Sequence, residues 1–434
     1  MNIAKLNVAA NDNLIVKQKG GGGGVTINNQ EKSVDITENG TTEVTADAGF
    51  TGLSKVIVNT NVASSGGASV SKPVNDVNFY DYDGTILHSY TKDEFLALSA
   101  MPPLPEREGL ICQEWNWGYE EAQEYVAEYG LCDIGATYIT DDGKTRLYIS
   151  IAEDAAPPIE LRFTGSNLTA SVDWGDGSPI ESLSTSMSHS YQKKGDYCIK
   201  IEVTKGVLTL GTNSSSSGTS VLGSATVSSF SLKVLKKAEL GNSVYMGAYC
   251  FNMTSLESIT LPNDTELNST RFGKGALGRT QVKHVTIPKG MNGWKEFMTD
   301  YSYSSISLPS NFSLGQSMLY GCYNIQRVVL PPNLTSISER GLYYNYGLVR
   351  VVIPKGVTNI FADAFYNAKN MKIVDCSRCI QCPTLGSANA FYGVPSDCKI
   401  IVPDALYDTW IAATNWSTYE SKIIKKSDWD ASQS

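Results

Sequence analysis

Between residues 239 and 429 one phrase returns at a nearly fixed interval: a short β-branched or apolar run that closes on proline. It reads Ile259-Thr260-Leu261-Pro262, Val285-Thr286-Ile287-Pro288, Ile306-Ser307-Leu308-Pro309, Val328-Val329-Leu330-Pro331, Val351-Val352-Ile353-Pro354 and Ile400-Ile401-Val402-Pro403. Successive prolines are 26, 21, 22, 23 and 49 residues apart, so the last step spans two periods and one copy has lost its proline. A second phrase falls between copies of the first: Ala248-Tyr249-Cys250-Phe251, Leu319-Tyr320-Gly321-Cys322, Leu342-Tyr343-Tyr344-Asn345, Ala364-Phe365-Tyr366-Asn367 and Ala390-Phe391-Tyr392-Gly393. A period in the low twenties is the signature of a solenoid. One strand and one turn cannot bury their own apolar face, so such coils are stable only when stacked. Each proline should end its strand where the ladder no longer needs an N–H, and the alanine-aromatic phrase should build the opposite wall.

The unit 351–374, VVIPKGVTNIFADAFYNAKNMKIV, resembles the BspA-like class of surface-protein leucine-rich repeats. The ending CKIIVPDALYDTWIAATNWSTYESKIIKKSDW resembles the closing segment of repeat proteins in phages of gut bacteria. The first resemblance implies a fold; repeats of this kind are binding scaffolds that share no chemistry.

The rest of the chain divides by composition. Residues 1–24 form a short amphiphilic stretch ending in five glycines, Gly20 to Gly24, a tether that is costly to order. The expectation is a peptide that anchors the chain to a capsid or other virion protein; the plain alternative is a tail without a partner. Its apolar residues are interrupted by Asn and Asp, so it lacks the core of a signal peptide. Residues 25–71 alternate apolar and polar side chains around turns at Asn39-Gly40 and Gly52 and end in a Gly/Ser linker. A β unit this small needs help to bury a core, and pairing as a homotrimer would supply it. Residues 72–152 read as an α+β module: a hairpin over Asp83-Gly84, a capping box from Thr91 to Glu94, a helix from Tyr119 to Tyr129 stopped by Gly130, and a second hairpin over Asp142-Gly143. This module, like the β unit before it, resembles parts of phage structural and fibre proteins.

Residues 153–205 carry Trp174-Gly175-Asp176-Gly177 followed by His189 and Tyr191, which resembles a PKD-type immunoglobulin-like β-sandwich. The resemblance implies a spacer in which Trp174 and Tyr191 pack the core; at about fifty residues the segment is short of an edge strand. Residues 206–434 complete the chain as the solenoid with its cap. The fold class is therefore mainly β and multidomain.

Charged residues are 18% of the chain, and the net charge of −9 excludes a nucleic-acid footprint. No stretch is apolar enough to insert in a membrane, and no cofactor fingerprint is present. Asp173 and Asp176 read as turn residues rather than a Ca²⁺ site. Asp81-Tyr82-Asp83-Gly84 has the form of a phosphotransfer aspartate, and a hairpin turn explains it. Cys376, Cys379 and Cys382, with Cys398 beyond, do not have the paired arms of a zinc knuckle and read as reduced thiols. The three histidines, His88, His189 and His284, accompany no nucleophile motif.

The tyrosines of the repeats suggest a recognition surface, since tyrosine offers contact area and a hydroxyl at low entropic cost. Tyr301, Tyr303, Tyr323, Tyr343 and Tyr346 are the candidates for exposure, whereas Tyr320 and Tyr344 fall at core positions of the phrase. The expected function is non-enzymatic: a bacteriophage head fibre at the virion surface, with a repeat tip that touches a host glycan or protein. The alternatives are a tail-associated adhesin or a bacterial cell-surface leucine-rich-repeat adhesin.

Overall fold

A computed structural model describes residues 76–184, 187–211, 220–223, 233–263, 273–289, 298 and 302–433, and the backbones of strands nearer the N-terminus. The chain divides into two compact units, Met1–Val74 and Asn75–Ser434. In the first, Lys5–Ala9 pairs antiparallel with Asn13–Val16 and parallel with Glu43–Ala46, while Val25–Asn28 and Ser33–Ile36 form a separate antiparallel pair. Strands from the expected anchor, 1–24, thus share a sheet with a strand from the expected β unit, 25–71. The glycine tether, the Asn39-Gly40 and Gly52 turns and the Gly/Ser linker lie outside the described residues.

The second unit begins with a four-stranded sheet in the order Ile86–Tyr90, Val77–Tyr80, Cys132–Thr140, Leu110–Trp115. Gly84, at φ 91°, closes the first hairpin. Thr91 and Glu94 form both halves of the capping box, and the helix they start, Lys92–Leu96, stops short of Ala100. Helix Tyr119–Tyr129 ends at Gly130, whose φ of 83° is the left-handed cap that glycine tolerates best.

The second expected hairpin is not one. The chain does turn at Gly143, but Cys132–Thr140 stays in the four-stranded sheet while Thr145–Ile151 pairs with Gly195–Leu210 and Leu235–Glu239. Thr145–Ile151 alternates Leu147, Ile149 and Ile151 inward with no exposure above 2%, and only the next core along can bury that face. It completes a sandwich. Its facing sheet is ordered Met187–His189, Ile159–Leu161, Leu222–Gly223. The strands missing from a fifty-residue segment therefore come from either side of it. Trp174 and Tyr191 are buried, and the Tyr191 hydroxyl donates to the Trp174 carbonyl at 2.8 Å. Asp173 and Asp176 accept from the backbone N–H groups of Gly175 and Ser178, the turn role read from sequence.

The long strand Gly195–Leu210 then pairs in parallel with Val244–Met246, and Leu235–Glu239 with Ser258–Thr260. Sheet and core thus run from the sandwich into a β-solenoid of about seven turns, with no break at 152 or 205; one hydrophobic cluster extends from Leu147 to Ile423. The strand wall continues through His284–Thr286 and Ser305–Ser307, then Arg350–Val352, Ile373–Asp375, Lys399–Val402 and Ile423–Lys425, all parallel. Val285, Ile306, Val351, Val374 and Ile400 point inward at equivalent register. Register also finds the lost proline. Val352 pairs with Asp375 and Asp375 with Ile401, so Cys376 takes the inward place of Ile353 and Val402, and Ser377 stands where Pro354 and Pro403 do. The far end is sealed by Trp410 and Trp416, both fully buried, with the Trp416 indole donating to the Pro383 carbonyl.

Candidate functional site

A solenoid offers a partner two long surfaces, its strand wall and its turn wall. The strand wall is taken along its middle. Residues 76–140 lie across it from Thr286 to Lys355. Asn116 donates from Nδ2 to the carbonyls of Ile287 (3.0 Å) and Ser307 (3.1 Å), and its Oδ1 accepts from the Gly135 N–H at 2.8 Å. Trp117 donates to the Leu308 carbonyl and Tyr125 to that of Leu330. Val329 and Val352 face outward from the solenoid into the module's own core, at 1% and 5% exposure; burying each stabilises by about 1.5–3 kcal/mol. Gly135 passes so close that a Cβ there would stand 2.1 Å from Thr286 Oγ1. Arg327 pairs with Asp133 at 2.9 Å.

His284 lies under this lid. Its ring stacks on Tyr80 at 4.8 Å, with Nδ1 2.7 Å from Ser305 Oγ and Nε2 3.1 Å from Thr286 Oγ1. Burial pushes its pKa down to about 3, against a small upward pull from Asp83. It is a neutral structural histidine. Asp81 is equally committed: it accepts from Tyr138 Oη (2.6 Å), Arg107 Nε (2.7 Å) and the Tyr82 N–H (2.8 Å). These bonds give Asp81 a structural role at the hairpin turn, where its carbonyl also accepts from the Gly84 N–H.

The turn wall is built differently. Five coils turn twice through the left-handed region, at residues four apart: Tyr249 and Met253, Gly275 and Arg279, Ser317 and Gly321, Arg340 and Tyr344, Asp363 and Asn367; the coil of Tyr392 keeps only the second, at Gly393. Backbone bonds tie these turns coil to coil, as from Gly321 N–H to the Tyr343 carbonyl, Tyr344 N–H to Tyr366 and Asn367 N–H to Tyr392. The residue just before the second left-handed turn points outward. In the last four coils that residue is tyrosine. Tyr320 stacks on Tyr343 (5.0 Å, 20°), Tyr343 on Tyr366 (4.9 Å, 17°) and Tyr366 on Tyr392 (5.0 Å, 21°). Tyr323 and Tyr346 stack beside them at 4.4 Å. Lys369 lies 4.7 Å from the Tyr346 ring and Arg340 5.7 Å from Tyr343. Partial burial and then the hydrogen bond with Tyr344 push the Tyr343 phenol up, and Tyr366 moves the same way through desolvation and its tyrosine neighbours. Both hydroxyls stay protonated and able to donate.

The ladder corrects the tyrosine assignments. Tyr303, expected outside, is fully buried, and its hydroxyl donates to the Leu277 carbonyl at 2.8 Å. Tyr320, expected inside, is 37% exposed, and Tyr344 is half-buried because its left-handed backbone turns the side chain away from the core. Tyr323, Tyr343 and Tyr346 are half-buried; Tyr301 lies outside the described residues. Sequence reading missed Tyr366 and Tyr392, although both follow a buried phenylalanine in the second phrase, Phe365 and Phe391, which stack inside the coil at 5.0 Å.

The cysteines are packing groups. Cys376 and Cys398 are fully buried. The hydrogen bond with Cys379 and then burial hold Cys376 protonated, and burial pushes Cys382 and Cys398 up to about 11. Among the described residues no group of three His, Cys, Asp or Glu side chains is placed to hold a metal.

A family model for the BspA type leucine rich repeat region matches six copies, over residues 214–298, 244–372 and 292–408. The repeats are BspA-type leucine-rich repeats. The matched residues begin beyond the Trp174 turn, so they do not bear on the PKD-type resemblance. Among solved structures the chain is similar to a leucine-rich repeat protein from Bacteroides ovatus, at 18% identity and a TM-score of 0.25. That alignment covers 39% of this chain and 63% of the other, so the chain spans less than two thirds of the protein it matches. No curated protein matches the chain.

Proposed function

We propose that this chain is a non-enzymatic recognition protein of the adhesin type, displayed at a cell surface, and that it grips its partner through the turn wall of the solenoid. The observation that carries the reading is the contrast between the two walls. Between Thr286 and Lys355 the strand wall is covered by the chain's own residues 76–140, whereas the turn wall presents four stacked tyrosines. BspA-type repeats support a bacterial repeat adhesin over the virion fibre expected from the terminal segments. The anchor expected for that fibre falls largely on residues outside those described.

The chemistry is that of contact rather than turnover. Phenol rings supply apolar area, their hydroxyls supply hydrogen bonds, and Lys369 and Arg340 place positive charge beside the rings. The full chain, presented with a panel of surface glycans and matrix proteins in biolayer interferometry, should give saturable binding to at least one. Replacing Tyr320, Tyr343 and Tyr366 together by Ala should abolish that binding while the circular dichroism spectrum is kept. Undiminished binding by the triple variant, or no binding across the panel, would overturn the proposal.

A further inference from the structure

We infer that the tyrosine ladder takes an extended, neutral, β-linked polysaccharide lying along the solenoid axis, with one sugar residue to each coil; this rests on the turn wall being the recognition surface. Stacking decides how the rings are used. Along the row Tyr320, Tyr343, Tyr366 and Tyr392, successive rings are tilted by 17–21° at steps of 4.9–5.0 Å. Each ring therefore lies partly over the next in an offset stack. What the wall presents is a row of ring edges and hydroxyls that ends on its two most exposed members, Tyr320 at 37% and Tyr392 at 55%.

A partner with a polar group repeating every 5 Å finds a matching row. The step is set by the backbone bonds between coils, which hold neighbouring segments at about the spacing of paired strands. It is close to the length of one pyranose ring in an extended β-linked chain. It differs from a peptide strand, whose same-face side chains recur at about twice 3.3 Å. Sugar hydroxyls both donate and accept, as phenol hydroxyls do, and the electropositive ring edges suit sugar oxygens. Of the two cations beside the rings, Arg340 is matched by Asp363 at 3.4 Å and Glu339 at 3.9 Å, and Lys369 alone is too little charge to require an acidic polymer. Each rung contributes little, so affinity accumulates along the chain as in any multivalent contact.

The test uses the full chain with cello- and xylo-oligosaccharides of one to six residues, an α-linked glucan and a matrix protein, by isothermal titration and interferometry. Affinity for the β-linked series should rise with each residue and level off near the four rungs of the ladder. The α-linked chain, which curves, should bind at least tenfold more weakly. Tyr343→Phe and Tyr366→Phe keep the stacked rings and remove only hydroxyls. Each should weaken the four-residue ligand roughly two- to tenfold; Tyr366→Phe should leave the melting temperature unchanged, whereas Tyr343→Phe also gives up the bond to Tyr344. Equal affinity for one and six residues, preference for the α-linked chain, or indifference to both Phe variants would overturn the inference. Binding of the matrix protein through these tyrosines, with no glycan bound, overturns the glycan assignment and leaves the recognition role standing. Binding of nothing overturns both.

Discussion

Asn116→Ala tests whether residues 76–140 are built into the solenoid or merely rest on it. In the native chain the Asn116 side chain is fully buried and satisfies three backbone groups: the carbonyls of Ile287 and Ser307 and the N–H of Gly135. The Ser307 carbonyl keeps a second donor, the Ile287 N–H at 2.9 Å. The other two groups lose their side-chain partner inside a closed interface. An unsatisfied buried group costs about 1–3 kcal/mol, so the substitution should cost about 2–5 kcal/mol, a large share of a stability of roughly 5–15 kcal/mol. Asn116→Asp provides the sharper control. It keeps an acceptor for Gly135 but turns a carboxylate toward two carbonyls, and an unpaired buried charge costs more than a missing side chain. Asp should therefore be worse than Ala, despite its closer shape. Urea unfolding followed by tryptophan fluorescence reads both variants, because the Trp117 indole is bonded to Leu308 across the same interface. A loss below about 1 kcal/mol for Ala, or Asp milder than Ala, would refute the reasoning.

Two further outcomes follow from buried groups. His284 has a folded pKa of about 3 against 6.5 when free. Below pH 6.5 the unfolded chain takes up a proton that the folded chain refuses, so stability falls with acidification between pH 6.5 and about 3. The loss approaches roughly 1.4 kcal/mol per pH unit. His284→Gln should flatten that part of the curve in urea melts at stepped pH; parallel curves for the two proteins from pH 7 to 4 would contradict it. Tyr303→Phe removes a hydroxyl bonded to the Leu277 carbonyl in the core. It should lower stability by about 1 kcal/mol and leave partner binding untouched; a binding defect would return Tyr303 to the surface.

Much of the fold was legible because it is local or periodic. The proline spacing located the coils, and their register then showed Ser377 standing in the proline place. Thr91 with Glu94, and Gly130, marked helix ends because capping is decided within a few residues. The core places of Trp174 and Tyr191 were implied by a resemblance rather than by any local rule, and both side chains are buried. The recognition wall was harder to read. Whether a tyrosine points in or out depends on the phase of turns at Tyr344, Arg340, Ser317 and Asp363, non-glycine residues that adopt positive φ without announcing it. Tyr303 and Tyr320 look alike in the string and stand on opposite sides of the wall.

The sequence by itself determined that coils stack and which apolar positions line them, because a fixed period leaves an amphipathic chain one economical way to bury its face. It also marked the caps at Thr91 and Gly130 and the turn at Gly84, for the same local reason. Only the tertiary structure decided which surface remains for a partner. Asn116 meets carbonyls 171 and 191 residues away, and Tyr125 one 205 residues away. Contacts so distant along the chain come from one folded surface fitting another, and no interval in the string encodes them.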